Sequence, residues 1–246
     1  MFDLKGYEGA IFSGALLTIE VALLSLVMAV ILGMLGALAK LSTNHLAKGI
    51  ATVYTTVIRG IPDLVLMMLI FFGGQIFLNS SLYNINEWIN GAISMLDSSH
   101  EWTSYLPDYL DVSPFIAGVL TIGFIFGAYM AETFRGAILA VDSGELEAAK
   151  AYGMSPALAF RRILFPQMVR HALPGFGNNW LVLLKTTALV SIIGLEDMVR
   201  MGAIAAGSTK MPFTFYMTVA IIFLFFTSVS TGLLRVVERK YSAHIK

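Results

Sequence analysis

The run from residue 11 to residue 39 constrains the fold more than any other stretch of the chain. It is almost entirely apolar and contains one charged residue, Glu20. At about 1.5 Å of rise per residue, a helix of this length crosses a hydrocarbon core of roughly 30 Å with some tilt. The whole chain is 57% hydrophobic and only 13% charged, against roughly 25% charged in an ordinary soluble domain. The sequence therefore predicts an all-α integral membrane protein.

Four further apolar segments predict four more transmembrane helices, over residues 52–78, 113–140, 176–195 and 213–237. The first of these contains Arg59-Gly60-Ile61-Pro62-Asp63 near its start, so we expect it to be kinked or broken there. We interpret residues 79–112, which have acids and aromatic residues but no Lys or Arg, as an extended periplasmic loop with an interfacial helix. No internal repeat or linker is visible. Residues 1–246 are therefore expected to form a single five-helix transmembrane domain.

Basic residues differ in number between the two sides of this predicted bundle. One side has eleven: Lys40, Lys48, Arg59, Lys150, Arg161, Arg162, Arg170, Arg235, Arg239, Lys240 and Lys246. The other side has three: Lys5, Arg200 and Lys210. Because loops rich in Lys and Arg remain inside, the C-terminus is predicted to be cytoplasmic and the N-terminus periplasmic.

One long polar and basic segment lies between two predicted transmembrane helices. It covers residues 147–174 and reads EAAKAYGMSPALAFRRILFPQMVRHALP. It opens with helix formers, breaks at Gly153 and restarts after Ser155, a capping residue, and Pro156, which is tolerated at the first helical position. The second piece is expected to stop near Pro166. The pattern predicts two short helices joined by a sharp turn. A hairpin that lies on the bilayer and reads lipid headgroups through its arginines is the alternative.

The spacing within this segment resembles the EAA loop of ABC importer permeases. Glu147-Ala148-Ala149, then Gly153, then Ile163 and Pro166 stand in the register of that motif, although Phe165 occupies a position where the pattern usually has Leu. The resemblance implies that residues 144–170 form cytoplasmic coupling helices that dock on a separate ATPase subunit. The residues that it assigns to coupling are Glu147, Ala148, Ala149, Gly153, Arg161, Ile163 and Pro166.

A fuller resemblance covers most of the chain. Arg59-Gly60-Ile61-Pro62 is similar to the Arg-Gly-Thr-Pro signature of polar amino acid permeases, and Ala128-Tyr129, Ala131-Glu132 and Arg135-Gly136 are similar to the segment before their EAA loop. Residues 62–66, 177–180 and 185–189 resemble permeases of histidine and lysine/arginine/ornithine importers. The resemblance implies a type I, MetI-like permease fold and import of histidine, arginine, lysine or ornithine across the bacterial inner membrane.

The resemblance also implies the partners. They are a HisM-like permease subunit or a second copy of this chain, two ATP-binding cassette subunits and a periplasmic amino-acid-binding protein. ATP and Mg would be bound by the ATPase, so this chain is expected to carry no cofactor. Permeases of the same fold for neutral or acidic amino acids such as glutamine or glutamate remain an alternative, as does an ATPase-independent channel or an intramembrane enzyme.

Sequence patterns for other chemistry are weak. The chain has no cysteine, which excludes thiolate metal sites and cysteine nucleophiles, and its zero net charge gives no reason to expect nucleic acid. The four histidines at positions 45, 100, 171 and 244 lack metal-ligand spacing. Residues 202–210, GAIAAGSTK, place lysine after Ser-Thr and not after the second glycine of a phosphate loop. An enzyme is therefore not expected.

Ionisable residues inside the predicted spans are candidates for function. A charge at bilayer depth costs about 2.5 to 3.5 kcal/mol, so each is expected to face a cavity or a partner. Asp63 and Glu132, predicted at comparable depth, are candidate contacts for a cationic group, with Glu20 ranked third. Arg59 is the candidate contact for a substrate carboxylate. In the purely structural alternative, Glu132 pairs with Arg135, and Lys185 pairs with Asp63 or helix-end carbonyls.

The predicted sidedness is testable because the chain has no native cysteine. We expect an impermeant maleimide to label Ser98→Cys in intact spheroplasts, and Ser242→Cys only after the inner membrane is opened. Labelling is read as a mass shift on gels. Equal labelling of both variants in intact spheroplasts contradicts the assignment.

Overall fold

The computed structural model describes residues 4–95 and 101–242. Ser98, His100, His244 and Lys246, which are named in the sequence-based predictions, lie outside the described residues. The described part is built from helices. These are α1 (Glu8–Leu41), α2 (His45–Gly60), α3 (Asp63–Ser94), α4 (Pro114–Leu139), α5 (Ser143–Ala151), α6 (Pro156–Ala159), α7 (Phe165–Thr186), α8 (Met198–Thr209) and α9 (Pro212–Ser242).

Four helices in the described part of the chain, α1, α3, α4 and α9, are long and apolar enough to cross a membrane. The helix α7, expected as a fifth span, has 22 residues but is more polar, with Arg170, His171, Asn178 and Asn179 along its length. It does not reach the hydropathy of the other four. The all-helical architecture is as predicted, and the spanning role of α7 stays a prediction.

The centre of the molecule is the contact between α1 and α4. The Ser25 hydroxyl donates to the Val119 carbonyl at 3.2 Å, and Lys40 near the end of α1 pairs with Glu132 near the end of α4, so the two helices run parallel. Small residues let the backbones approach closely: a Cβ at Gly36 would lie 2.8 Å from that of Ala131. Lipid tails are as apolar as the helix surfaces, so the hydrophobic effect does not drive two helices together in a bilayer. Close van der Waals packing of this kind stabilises the pair instead.

The short helix α8 packs between the first half of α1 and the start of α9. A Cβ at Gly14 of α1 would lie 2.7 Å from the Met198 nitrogen. Asp197 begins α8 as a cap, because its side chain accepts from the Arg200 amide at 3.0 Å. Burial raises the pKa of Asp197 to about 6. The segment before the last helix is thus a capped helix with one buried side, formed by Met198, Gly202, Ala205 and Ala206.

The predicted second span, residues 52–78, is wrong at both ends. Residues up to Gly60 belong to α2, whose exposed apolar residues include Leu46, Ile50 and Val53. Proline lacks an amide hydrogen and disfavours helix in the residue before it, and Ile61 is accordingly extended, with φ −111° and ψ 140°. The spanning helix α3 starts after this break and continues to Ser94.

Residues 79–112 are correspondingly not one extended loop. Their first half continues α3, and residues 103–112 return along that helix as a strap. Side-chain amides of α3 bind the strap backbone: Asn79, Asn86 and Asn90 each accept an amide hydrogen from it, at 2.8 Å from Leu110, 2.9 Å from Leu106 and 2.9 Å from Thr103. Spacings of seven and four residues place these amides on one helix face.

Close packing of α1 on α4 predicts that Gly36→Leu destabilises the protein by about 1 to 3 kcal/mol, since the added side chain must push the helices apart. The expected readout is a lower midpoint of thermal unfolding in detergent. Gly232→Leu on α9 is the matched control, because a Cβ there meets open space. Similar midpoints for the two variants would mean that the contact tolerates a side chain.

Candidate functional site

A cavity of about 450 Å³ lies where the C-terminal ends of α1 and α2 meet the C-terminal part of α4. Its lining combines both charges with hydroxyl groups: Lys40, Thr55, Thr56, Arg59, Gly60, Tyr129 and Glu132. A larger cavity of about 620 Å³ beside α2 is lined almost entirely by apolar side chains. The mixed lining makes the smaller cavity the better candidate for a polar ligand.

Glu132 is the centre of an ion network in this cavity. One carboxylate oxygen, Oε1, accepts from the Lys40 ammonium, and the other, Oε2, accepts from Arg135 Nε at 3.0 Å. The Lys40 ammonium also donates to Thr55 Oγ1 at 2.8 Å. The side chains of Lys40 and Glu132 are only 14% and 19% exposed. Two cations therefore neutralise an acid that would be costly to leave unpaired in a membrane.

Arg59 lies in the last turn of α2, where the helix dipole favours a cation. Its guanidinium carbon lies 5.5 Å from the centre of the Tyr129 ring, a cation–π arrangement. The Arg59 side chain is exposed, so most of its donors are free to turn toward the cavity. A planar fork of donors suits recognition of a carboxylate.

Asp63 begins α3 immediately after the chain break and is half-buried. It is close enough to Tyr129 for an electrostatic interaction with its phenol. Asp63 follows Gly60, which lines the cavity, by three residues, and Tyr129 precedes Glu132 by almost one helical turn. The structure thus brings Arg59, Asp63 and Glu132 to one region, and their contact with a substrate stays a prediction.

Two other ionisable residues named in the sequence analysis, Glu20 and Lys185, do not line this cavity. Glu20, ranked third as a cation contact, is exposed on α1, about 30 Å along that helix from Lys40, and does not line the cavity. Lys185 is exposed and forms no ion pair with Asp63 in the part of the chain that the structure describes. The predicted Glu132–Arg135 pair is present, with Arg135 Nη2 at 3.0 Å from Glu132 Oε2.

The polar segment forms the expected helical hairpin. Asp142 caps α5 by accepting from the Gly144 amide at 2.8 Å. After α5, Gly153 has φ +76°, its amide donates to the Lys150 carbonyl at 2.9 Å, and the Met154 amide donates to the Ala149 carbonyl at 3.0 Å. This is a Schellman turn, which favours glycine because its φ is positive. Ser155 then caps α6, accepting from Leu158.

The second piece of the hairpin does not stop at Pro166, which is a correction to the prediction. A π-helical turn, Phe160–Leu164, joins α6 directly to α7. In this turn the Phe165 amide donates to the Phe160 carbonyl five residues back. Pro166 sits in the first turn of α7, where its missing amide hydrogen costs little. The hairpin is therefore continuous with the long helix that follows it.

The side chains assigned to coupling differ in exposure. Glu147, Ala148 and Arg161 are exposed and available to a partner, whereas Ala149 is buried within the chain at 2%. Ile163 is half-buried, and Pro166 is exposed. Ala149 therefore holds the hairpin together. The residues most available for contact lie around it.

Two residues of these regions were missed from the sequence. The sequence marks Lys40 only as one of the basic residues on the predicted cytoplasmic side, yet its long side chain extends to Glu132, 92 positions later in the chain. Tyr152, 86% exposed at the tip of the hairpin, was treated only as a spacer. Aromatic residues are enriched at protein–protein interfaces, so Tyr152 is a candidate contact for a partner.

The chain was compared with known proteins. The family model for the binding-protein-dependent transport system inner membrane component matches residues 29–243. The histidine/lysine/arginine/ornithine transport system permease protein HisQ of Escherichia coli K12 is 49% identical over 99% of this chain and 98% of its own length. The arginine ABC transporter permease protein ArtQ of Haemophilus influenzae is 33% identical over 94% of this chain and 93% of its own length.

Solved structures give the same result for the fold. A crystal structure of an amino acid ABC transporter with histidines contains a chain with 31% identity and a TM-score of 0.76, covering 98% of both chains. The inward-facing methionine ABC transporter MetNI matches with 13% identity and a TM-score of 0.64 over 94% of both chains. The second likeness concerns the fold alone.

Proposed function

The chain belongs to the family of binding-protein-dependent transport system inner membrane components, and we propose that it forms the path for histidine, arginine, lysine or ornithine through the bacterial inner membrane. It is a permease subunit of an ABC importer and not an enzyme, because ATP is hydrolysed by separate subunits. The match to permeases for basic amino acids over almost the whole chain carries the proposal. The cavity around Arg59 and Glu132 supports it.

The partners follow from this role. An ATPase and an external binding protein complete such an importer, and we propose two ATPase copies and a HisM-like permease, or a second copy of this chain, across the pore. ATP and Mg then belong to the ATPase, and this chain needs no cofactor. The exposed hairpin around Glu147 and Tyr152 provides the surface on which an ATPase would dock.

The proposed mechanism is alternating access. Closure of the ATPase dimer on ATP would push the hairpin, and the π-turn would pass this movement to α7 because the two are continuous. The parallel course of α1 and α4 supports placing the C-terminal ends of both helices, and the hairpin after α4, in the cytoplasm, as the charge distribution predicts. The N-terminus is then periplasmic.

In the proposed substrate site, the Arg59 guanidinium binds the carboxylate of the amino acid. Asp63 and Glu132 face its amino group and its side-chain cation. A basic amino acid needs this combination of one cation and two acids. A substrate bound here contacts α2, the start of α3, and α4 at once. Its binding can therefore change the relative positions of these three helices.

One observation favours an acidic substrate as the second candidate. Around the cavity, the cations Lys40, Arg59 and Arg135 outnumber the one lining acid, Glu132. Purified complex with its binding protein, tested with a panel of amino acids, decides between the two: arginine or histidine should stimulate ATP hydrolysis and glutamate or glutamine should not. The reverse order would replace the proposed substrate class.

We expect Asp63→Asn to reduce arginine uptake more than histidine uptake, by a difference of about 1 to 3 kcal/mol, the size of a charge-assisted hydrogen bond. The substitution keeps shape and removes one of the two negative charges of the proposed site, which matters more for a substrate that has a side-chain cation in addition to its amino group. Initial uptake rates of the labelled amino acids measure the effect. The control is Glu8→Gln, which removes the charge of an exposed acid away from the proposed site. Equal losses for both substrates would make Asp63 a structural residue.

We expect Gly153→Val to remove the coupling of ATP hydrolysis to transport while leaving membrane insertion intact. A side chain at positive φ strains the turn by about 1 to 2 kcal/mol, although a Cβ there would meet open space. Gly207→Val, at an open helical position of α8, is the control. Substrate-stimulated ATPase activity that remains normal in the Gly153 variant would exclude this turn from coupling.

A further inference from the structure

Both carboxylate oxygens of Glu132 already accept from a cation in this structure. Lys40 is paired with Oε1, and Arg135 approaches Oε2 with Nε and Nη2, each at 3.0 Å. If the proposed function holds, a third cation that reaches this acid is repelled by both partners, so a basic amino acid is expected to displace one of them. The geometry of the two partners decides which one leaves.

Arg135 is the less mobile of the two. It lies three residues from Glu132 on the same helix, so the pair stays close whatever the neighbouring helices do. Its planar fork places two nitrogens against one oxygen, which gives geometric as well as electrostatic stability.

Lys40 is held differently. Its ammonium comes from another helix, α1, and lies on a flexible four-carbon chain. It is in the last turn of α1, directly before the non-helical residues 42–44. Within the described residues, its other hydrogen-bond partner is Thr55 of α2, at 2.8 Å. Rotation of the stem is enough to withdraw the ammonium toward the end of α1.

We propose that Lys40 is an internal counterion that the side-chain cation of a basic substrate displaces from Glu132, so that Lys40 sets how tightly the cavity holds a cationic side chain. The exchange replaces one ammonium by another cationic group, so Glu132 is never left as an uncompensated charge within the membrane. An amino acid with a neutral side chain cannot make this exchange, so Lys40 stays on Glu132 when such a substrate binds. This inference rests on the proposed function.

The exchange also connects substrate binding to the α1–α2 junction. The same ammonium contacts α4 through Glu132 and α2 through Thr55. When Lys40 leaves, the end of α1 loses its polar contacts to both helices. Occupancy of the cavity therefore loosens this junction in a way that depends on the charge of the substrate.

The test compares arginine with citrulline, its neutral isostere, on the whole importer complex in nanodiscs without the binding protein. Equilibrium binding gives Kd for each amino acid. Lys40→Met should lower the Kd of arginine about tenfold, or about 1.4 kcal/mol, and leave that of citrulline unchanged. Lys40→Arg, which keeps the charge, should not gain affinity for arginine, and Lys48→Met on the exposed face of α2 is the matched control.

Equal gains for arginine and citrulline, or no gain for either, would overturn the counterion role. A second measurement on the unmodified protein covers the case in which Lys40→Met fails to assemble. Lysine acylation followed by mass spectrometry should show that saturating arginine exposes Lys40 and that citrulline does not. Unchanged Lys40 labelling with bound arginine overturns the inference alone, whereas absence of arginine transport by the unmodified complex overturns the proposed function.

Discussion

The close approach of α1 to α4 determines the rest of the cavity. Gly36 of α1 and Ala131 of α4 meet without an intervening side chain, and this contact brings the end of α1 within reach of Glu132. Wider spacing would leave the carboxylate with Arg135 alone and would open the region around Thr55 to lipid or water. Small residues therefore have a chemical consequence here: they place a lysine against an acid that lies on a different helix.

How much follows from sequence differs between elements. The bounds of α1 and α4 are evident from their apolar length, and the turn at Gly153 from its neighbours, because these features depend on local properties. The end of α3 is not evident, since its polar residues Asn79, Asn86 and Asn90 look like a loop until the strap that binds them is known. The pairing of Lys40 with Glu132 was equally hidden, because it depends on the packing of two helices that are far apart in the chain.

The hairpin shows a similar limit. A proline is usually a reasonable end for a helix, yet Pro166 lies inside a continuous path from α6 to α7, because the π-turn before it accommodates the lost amide hydrogen bond. A separate short helix would tilt independently of α7. The continuous helix instead connects the hairpin, past the internal Pro174, to the Asn179–Thr133 contact between α7 and α4, where the two side chains lie 3.0 Å apart.

The strap on α3 also bears on how the protein is made. During synthesis, α3 leaves the ribosome before residues 103–112, so Asn79, Asn86 and Asn90 must stay hydrated until the strap arrives. Such amides resist entry into the hydrocarbon core, and even the apolar 18-residue window of α3 has a mean hydropathy of only 1.7, against 2.6 for that of α1. The translocon would therefore insert only the first half of α3 as a transmembrane segment. The side-chain amides of Asn79, Asn86 and Asn90 would limit the depth of the second half in the bilayer.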